Sequence, residues 1–509
     1  MKRGQAIKAA STITLVSVLS KMFGFFREMA LAREFGATFE TDAYLIAIVI
    51  PQMLFASIGA SIATTFIPLY TEARLDKKQE LSTFVGTFFK IMVAVSTAIV
   101  GFGLLFTPEI VSVISPGFTG EVRELSILLT RIMLPVIIFL AAGGVLKGIL
   151  HSHNEFFIPV SVGIYQNIII MFFILVLGSR FGIEIVSFGT LLGFSMNFFV
   201  LLPKAISLKA PLITKLNLSH PFVKRSLYLM APILFGNMVL QLNKLVDRML
   251  ASNLDEGSIS ALNYASKVYT LPHGIFVMAV ATVLYPSFSE CVTKKNMYRL
   301  KELMITGLSS IVFLVLPMMA GAIVLREPII RVLFERGQFD TLATQRTAFA
   351  LLFYSFGMLS ISLREILSRV FYSFQDTKTP MRVAMGMVVV NLLFNFLLIG
   401  PLGHGGLALA TSLSMTAGTT LLFIGVRRLI GPFGFVTFAH NSGRIFLAVL
   451  GMIGTMYLTL WIIPDIPIFK LIIPTLTGGT VYLIVSKLLN VEEIGVAKDL
   501  FIQVINRFR

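Results

Sequence analysis

Long apolar stretches dominate this chain and leave room for only one kind of architecture. A helix of about 20 mostly apolar residues crosses a bilayer, and the chain contains about fourteen such stretches. Their approximate bounds are 9–32, 41–69, 83–107, 125–147, 156–178, 183–203, 226–250, 259–288, 303–325, 347–371, 381–400, 405–425, 445–463 and 468–486. The intervals between them, under about 25 residues each, are too short to bury a core of their own. We therefore predict an all-α polytopic membrane protein without a separate soluble domain.

The composition excludes several other classes of protein. Only 13% of the 509 residues are charged, whereas soluble proteins carry about 25%. The single cysteine, Cys291, excludes an internal disulfide and argues against a cysteine-based metal cluster. The net charge is +16, but the basic residues are scattered through short loops and helices instead of forming a patch. We expect contact with anionic membrane lipids and no nucleic-acid partner.

The distribution of basic residues predicts the orientation. If the N-terminus lies inside, the cytoplasmic loops and tails hold about three times as many Lys and Arg residues as the opposite loops. Both termini should therefore face the cytoplasm of a multi-pass inner-membrane protein. The 326–346 segment is an exception, because it is basic on the outer side, and we expect it to fold onto the protein. Its basic residues are Arg326, Arg331, Arg336 and Arg346.

Two halves of the chain share landmarks about 220 residues apart. The run Ser152-His153-Asn154-Glu155 corresponds to Ser373-Phe374-Gln375-Asp376, and Arg27 corresponds to Arg248, both at a spacing of 221. Six predicted spans separate the copies, so the halves should have the same orientation, as in transporters built from parallel repeats. We predict two parallel six-helix repeats plus two C-terminal helices. The predicted lobes are 1–215 and 216–430, followed by helices 13 and 14 and a cytoplasmic tail in 431–509.

Charged residues inside the predicted spans are the candidate functional residues. An ionised side chain at mid-bilayer costs about 2.5–3.5 kcal/mol on insertion scales, so such residues usually line a pathway or form pairs. The candidates are Lys21, Arg27, Glu28, Asp42, Lys244, Asp247, Arg248, Lys267, Arg364 and Glu365. Those near helix ends can equally be interfacial anchors or ion pairs. The cations of helices 1, 7 and 8 predict a positive central cavity that favours a polyanion such as a lipid diphosphate.

Several motifs resemble one transporter family. The pair Phe334-Glu335-Arg336-Gly337-Gln338-Phe339-Asp340 and Ser373-Phe374-Gln375-Asp376-Thr377-Lys378-Thr379-Pro380 is similar to the signature of the MurJ/MviN family of lipid II flippases. The opening helices, from Ser20-Lys21 through Arg27-Glu28 to Thr41-Asp42-Ala43-Tyr44, resemble that family as well. The resemblance implies that the chain carries lipid II, a polyprenyl-diphosphate-linked peptidoglycan precursor, to the outer leaflet by alternating access.

The resemblance also implies site residues. The family's basic positions fall on Lys21, Arg27 and Lys267, and its helix 2 aspartate falls on Asp42. With Arg248, these form the predicted site for the diphosphate headgroup. Lys stands at two of these positions where Arg is usual, which keeps the charge and loses the bidentate fork.

Some members of the family bind sodium, and the matching positions are Asp247, Asn391, Asn395 and Thr411, with a carbonyl near Leu407. Oxygen ligands suit a hard cation. Asn395 stands where an aspartate is common, and the alternative is two asparagines that hydrogen-bond between helices. Sodium is the only cofactor that the sequence suggests.

Other functions remain open at this point. A related flippase for another polyprenyl-diphosphate-linked glycan, or a multidrug/cation antiporter, would share the architecture. An enzyme acting on polyprenyl phosphates would need an acidic or histidine-containing metal site. The six His residues form no ligand-spaced pair with a carboxylate on an apolar helix, and phosphate-binding glycine motifs are absent. We therefore predict a transporter and no enzymatic activity.

Overall fold

The structure, a computed structural model, describes residues 3–76, 78–491, 493 and 495. Every regular element in these residues is helical, which confirms the predicted fold class. The chain divides into two compact units, one ending at Ser260 and the other beginning at Ala261. The predicted tail from residue 496 lies outside the described residues. The lobe boundaries at 215 and 430 stay predictions.

The described residues of unit one form eleven complete α-helices. They are α1 (Arg3–Phe35), α2 (Phe39–Ala47), α3 (Val49–Asp76), α4 (Lys78–Leu105), α5 (Thr107–Ile114), α6 (Gly120–Met133), α7 (Val136–Ser152), α8 (Phe157–Phe172), α9 (Ser179–Phe199), α10 (Leu202–Ser207) and α11 (Pro221–Ala251). A π-helical turn, Phe173–Gly178, joins α8 to α9. The helix α12 (Ser258–Pro272) begins in unit one and continues into unit two.

Unit two begins within α12 and continues through a second π-helical turn, His273–Val277. Its remaining helices are α13 (Met278–Thr293), α14 (Met297–Val324), α15 (Arg326–Phe334), α16 (Thr341–Ser355), α17 (Met358–Ser373), α18 (Lys378–Leu402), α19 (His404–Ile430), α20 (Phe435–Ile462) and α21 (Pro467–Leu488). The pairs α18 with α19 and α20 with α21 pack against each other, and α14 packs against both α17 and α20.

The lengths of the apolar helices do not settle the predicted count of fourteen membrane spans. Among the described residues, 11 helices are long and apolar enough to cross a bilayer, or 12 if α16 and α17, bent by 41°, form one span. One reason is that Phe157–Ser207 counts as a single stretch of 51 residues. A straight helix of that length would measure about 77 Å, more than twice the thickness of the hydrocarbon core. The backbone leaves the helical region at Gly182, and α8 packs against α9, so the chain folds back there. The count of fourteen is not confirmed.

Residues with positive φ support the internal repeat. Three pairs of such residues are related by a spacing of 221: Gly36 with Gly257, Asn154 with Gln375, and Gly182 with Gly403. The hydrogen bonds repeat as well. Glu155 N–H donates to the Leu150 carbonyl at 2.9 Å, and Asp376 N–H donates to the Phe371 carbonyl at 3.1 Å. The same local turns therefore follow corresponding helices in both halves of the sequence.

The basic 326–346 segment folds onto unit two, as expected. Its first helix, α15, packs against α21. Arg331 forms ion pairs with Glu335 at 3.4 Å and with Asp465 at 3.2 Å, and Asp465 also pairs with Lys470. Hydrogen bonding and the nearby charge of Lys470 lower the pKa of the Asp465 carboxyl, which lies between α20 and α21. The positive charges of this segment are thus partly balanced by neighbouring acids.

Candidate functional site

Arg27 lies on α1 and is held by two partners within unit one. Its Nη2 donates to Glu28 Oε1 at 2.6 Å, and its Nη1 donates to Asn167 Oδ1 at 3.1 Å. The side chain of Arg27 is 13% exposed and that of Glu28 is 4% exposed. A guanidinium has five N–H donors, so these bonds engage only part of its capacity. The cation predicted from the sequence is therefore part of a buried ion pair that can still donate to another anion.

Asn167 was not among the residues predicted from the sequence. It lies on α8, is 7% exposed, and its amide nitrogen donates to the Gly163 carbonyl at 2.7 Å and to the Ser20 carbonyl at 3.4 Å. The helices approach closely here, because a Cβ added to Gly163 would lie 2.1 Å from Ser20 Oγ. Asn167 thus links Arg27 to the α1–α8 seam. The available signal was a glycine and an amide four residues apart in a mostly apolar helix.

Lys21 lies on α1 with Arg27 but on another side of the helix. Six residues separate them, so their side chains leave the axis about 120° apart. Lys21 is exposed, whereas Arg27 is mostly buried. Unit one therefore does not place the two predicted headgroup cations on one helix face.

Asp42 holds the turn that begins α12. Its carboxylate accepts hydrogen bonds from Gly257 N–H at 2.8 Å, from Ser260 N–H at 2.8 Å, and from the Ser260 hydroxyl. The residue is 3% exposed. A carboxylate at a helix N-terminus satisfies orphan N–H groups and is favoured by the helix dipole. The structure therefore gives Asp42 a role in anchoring this helix start.

Arg248 contacts the same turn. Its Nη1 donates to the Ile259 carbonyl at 3.1 Å. Asp42 and Arg248, both predicted to bind the headgroup, are thus brought together on residues 257–260 of unit one. Their bonds to this turn explain why the buried Asp42 and the partly buried Arg248 are tolerated here.

Lys267 lies on the part of α12 that belongs to unit two and is partly buried. Asn263 and Thr270 share its helix face, at spacings of four and three residues. A polar face on a membrane helix is usually turned to protein or water and not to lipid. Pro272 and the π-helical turn follow directly, and such turns often mark functional positions.

The residues predicted to bind sodium are only partly brought together. In unit two, Asn395 Nδ2 donates to Asn391 Oδ1 at 3.0 Å, Asn391 Nδ2 lies 3.4 Å from Thr411 Oγ1, and Thr411 Oγ1 donates to the Leu407 carbonyl at 3.1 Å. Both asparagines are 0% exposed. Hydrogen bonds of the kind expected from the alternative reading therefore link the two asparagines of α18 to Thr411 of α19. Asp247 lies on α11 in unit one, and sodium binding stays a prediction.

No group of three or more His, Cys, Asp or Glu side chains that could hold a metal ion occurs within the part of the chain that the structure describes. Arg27 retains donors beside its ion pair, and charge-assisted bonds from guanidinium to phosphate are among the strongest in proteins.

Comparison with known proteins identifies the family. The family model described as "Lipid II flippase MurJ" matches residues 31–463. The chain belongs to this family. A relative from Buchnera aphidicola subsp. Schizaphis graminum, named probable lipid II flippase MurJ, is 30% identical over 97% of this chain and 99% of its own length. The lipid II flippase MurJ of Burkholderia cenocepacia is 28% identical over 83% of this chain and 84% of its own length.

A solved MurJ structure agrees with this assignment. The structure described as lipid II flippase MurJ in an inward closed conformation has a TM-score of 0.83 and 30% identity. The match covers 95% of this chain and 99% of that one. The resemblance drawn from the motifs is therefore confirmed, and the MurJ fold accounts for a multi-pass membrane protein of a transporter family.

The role of Asp42 in this MurJ-family chain can be tested with an isosteric change. Asp42→Asn keeps the shape but places an NH₂ group opposite an N–H donor, so we expect a loss of about 1–3 kcal/mol of stability. The melting temperature of the purified protein in detergent should fall by several degrees. Glu124→Gln, which alters an exposed carboxylate on α6, is the matched control and should leave the melting temperature unchanged. Equal melting temperatures for both variants would show that the Asp42 bonds contribute little.

Proposed function

We propose that this protein moves lipid II from the cytoplasmic to the outer leaflet of the bacterial inner membrane. The observation that carries the proposal is the match to the MurJ family model over residues 31–463. The chemistry of the described residues agrees with it, because cations held inside apolar helices suit a cargo with a diphosphate headgroup and a lipid tail. We propose transport without a catalysed reaction.

Arg27 is the first proposed headgroup contact. Its pairing with Glu28 removes the cost of a lone buried charge while the substrate is absent. An arriving diphosphate can accept bonds from the guanidinium donors that Glu28 and Asn167 leave open. Asn167 keeps the guanidinium in one orientation, which lowers the entropy lost on binding.

Lys267 is the second proposed contact, and Lys21, which lies on another side of α1 from Arg27, is a further candidate. Lys267 offers three rotatable donors instead of a planar fork, which suits a phosphate that approaches from several directions. For Asp42 and Arg248, the hydrogen bonds to residues 257–260 favour a role in holding α12 over direct contact with the headgroup.

Alanine substitutions test the headgroup contacts. Loss of one charge-assisted bond costs about 1.5–3 kcal/mol, or about 10- to 100-fold in affinity. Arg27→Ala and Lys267→Ala should each fail to restore growth in cells depleted of the protein, at normal abundance, with lipid II accumulating on the cytoplasmic face. Lys267→Arg should restore growth, because it keeps the charge.

The matched control is Arg225→Ala, which removes an exposed basic residue that pairs with Glu72. This variant should restore growth fully. If the double variant Arg27→Ala, Lys267→Ala restores growth, the proposal that these two residues bind the headgroup is wrong. If depletion instead causes another polyprenyl-linked glycan to accumulate, the substrate is that glycan. An antiporter would leave both lipids unaffected.

Transport should follow alternating access by two repeats of the same orientation, with both termini in the cytoplasm. Cysteines introduced singly at positions 215 and 295 should react with a membrane-impermeant reagent only after the inner membrane is opened. The native Cys291 is buried and should be replaced by serine in the parent. Labelling of either position in intact cells would contradict the proposed orientation.

The return of the empty carrier should be driven by the membrane potential. Each elementary charge that crosses the whole field contributes about 2.3 kcal/mol per 100 mV. Movement of Lys21, Arg27 and Lys267 through part of this field would favour the return to the inward-facing state. Collapse of the potential should therefore stall the protein facing outward even when the sodium gradient is intact.

A sodium-driven return makes the opposite prediction, in which Asp247→Ala stalls the protein at normal potential. The potential-driven and the sodium-driven return are distinguished by disulfide crosslinks between cysteines introduced at the periplasmic ends of the helices. These crosslinks report whether the periplasmic side is open or closed. Unchanged crosslinking in depolarised cells together with altered crosslinking in Asp247→Ala cells would contradict the potential-driven return.

A further inference from the structure

The motif Phe334–Asp340, which carries the family resemblance, surrounds one tyrosine of α12. Phe334 and Phe339 are 0% and 1% exposed. Their ring centroids lie 5.2 Å and 5.6 Å from the Tyr264 ring, and 5.8 Å from each other. Tyr264 itself is 0% exposed. The two phenylalanines of the motif thus form a buried aromatic pocket around Tyr264 of α12.

The polar half of the motif fixes the helices on either side of this pocket. Arg336 donates to the carbonyls of Val332 and Leu333, which closes the end of α15. The Asp340 carboxylate accepts from Ala343 N–H at 2.7 Å, which caps the start of α16. Because both helix ends are satisfied within seven residues, Phe334 and Phe339 are held in place by backbone geometry as well as by packing.

Helix α16, which Asp340 caps, contacts α12 at a second point. The rings of Tyr354 and Tyr269 stack with a centroid distance of 4.8 Å and an interplanar angle of 8°. Aromatic pairs of this kind contribute about 0.5–1.5 kcal/mol beyond the area they bury. The α15–α16 segment therefore holds α12 through two tyrosines that are five residues apart.

These two contacts set the rotation of α12 about its axis. At 100° per residue, Lys267 lies about 60° from Tyr264 and about 160° from Tyr269. If α12 rotated far enough to move Lys267, the rings of Tyr264 and Tyr269 would both lose their aromatic contacts. The C-terminal end of α12 restrains this rotation less. Pro272 lacks an N–H donor, and the π-helical turn His273–Val277 interrupts the regular hydrogen bonding of the helix.

We propose that the Phe334–Asp340 motif and Tyr354 are positioning residues for Lys267: they fix the rotation of α12 so that the ammonium group meets the diphosphate. This inference rests on the proposed function, in which Lys267 contacts the headgroup. It assigns a physical task to a motif whose two aromatic rings contact α12 at Tyr264.

Binding of purified lipid II to the full-length protein tests the proposal. Tyr269→Leu removes the stacked pair and should weaken binding about tenfold, the size of about 1.4 kcal/mol. Tyr269→Phe keeps the ring and should bind like the wild type. Phe349→Leu is the matched control, because Phe349 lies on α16 like Tyr354 but pairs with Phe353 and His404. It should leave the affinity unchanged.

A double-mutant cycle separates positioning from general loss of stability. If Tyr269 acts through Lys267, Tyr269→Leu should have no further effect on affinity in the Lys267→Ala background. If the fold-losses of lipid II affinity in Tyr269→Leu and Lys267→Ala multiply in the double variant, the proposal is overturned. The same holds if Phe349→Leu weakens binding as much as Tyr269→Leu does.

A second readout does not depend on the substrate. In a Cys291→Ser parent, the rate at which a water-soluble maleimide reacts with Lys267→Cys should change several-fold on adding Tyr269→Leu and remain unchanged on adding Phe349→Leu. Equal rates in both variants overturn the proposed positioning. If Lys267→Ala binds lipid II as tightly as the wild type, the headgroup role of Lys267 fails instead, and the reaction rates alone then decide whether the tyrosines fix α12.

Discussion

A charged side chain among apolar membrane helices must have a partner, and this requirement organises unit one. Arg27 on α1 is balanced by Glu28 and oriented by Asn167 on α8. The same amide bonds the backbone of both helices at Ser20 and Gly163. One polar group therefore satisfies a cation and fixes the seam between two helices. Without a hydrophobic force between helices in lipid, small residues and such bonds determine how closely they pack.

The same requirement explains the start of α12. The first N–H groups of a helix have no partner within it, and a buried helix start needs an acceptor from elsewhere. Asp42 supplies that acceptor from α2, more than two hundred residues earlier in the chain. Arg248 bonds a carbonyl of the same turn. Asp42 and Arg248, which the sequence predicted to bind the headgroup, thus stabilise the first turn of α12, the helix that carries Lys267.

The internal repeat is expressed in the backbone more clearly than in the side chains. Gly36 and Gly257 share a positive φ, as do Gly182 and Gly403, although few residues around them are identical. A left-handed residue ends one helix and redirects the chain into the next. Turn geometry is therefore what the two copies have kept, while the side chains between the turns differ. Asn154 and Gln375 show the same rule with residues other than glycine.

The sequence by itself determined the class of fold, the family and most of the helices, because apolar length, turn residues and the paired motifs are local properties of the chain. It also predicted the folding of the 326–346 segment onto the protein from its misplaced charge. The sequence also placed a boundary between two spans at residues 178–183, where the structure turns the chain at Gly182, while the total of fourteen spans is not confirmed. Only the tertiary structure decided which partner each buried polar group has. Asn167 with Arg27, Asp42 with Ser260, and Tyr264 with Phe334 are contacts between residues far apart in sequence, and no local pattern encodes the distance or the direction of such a bond.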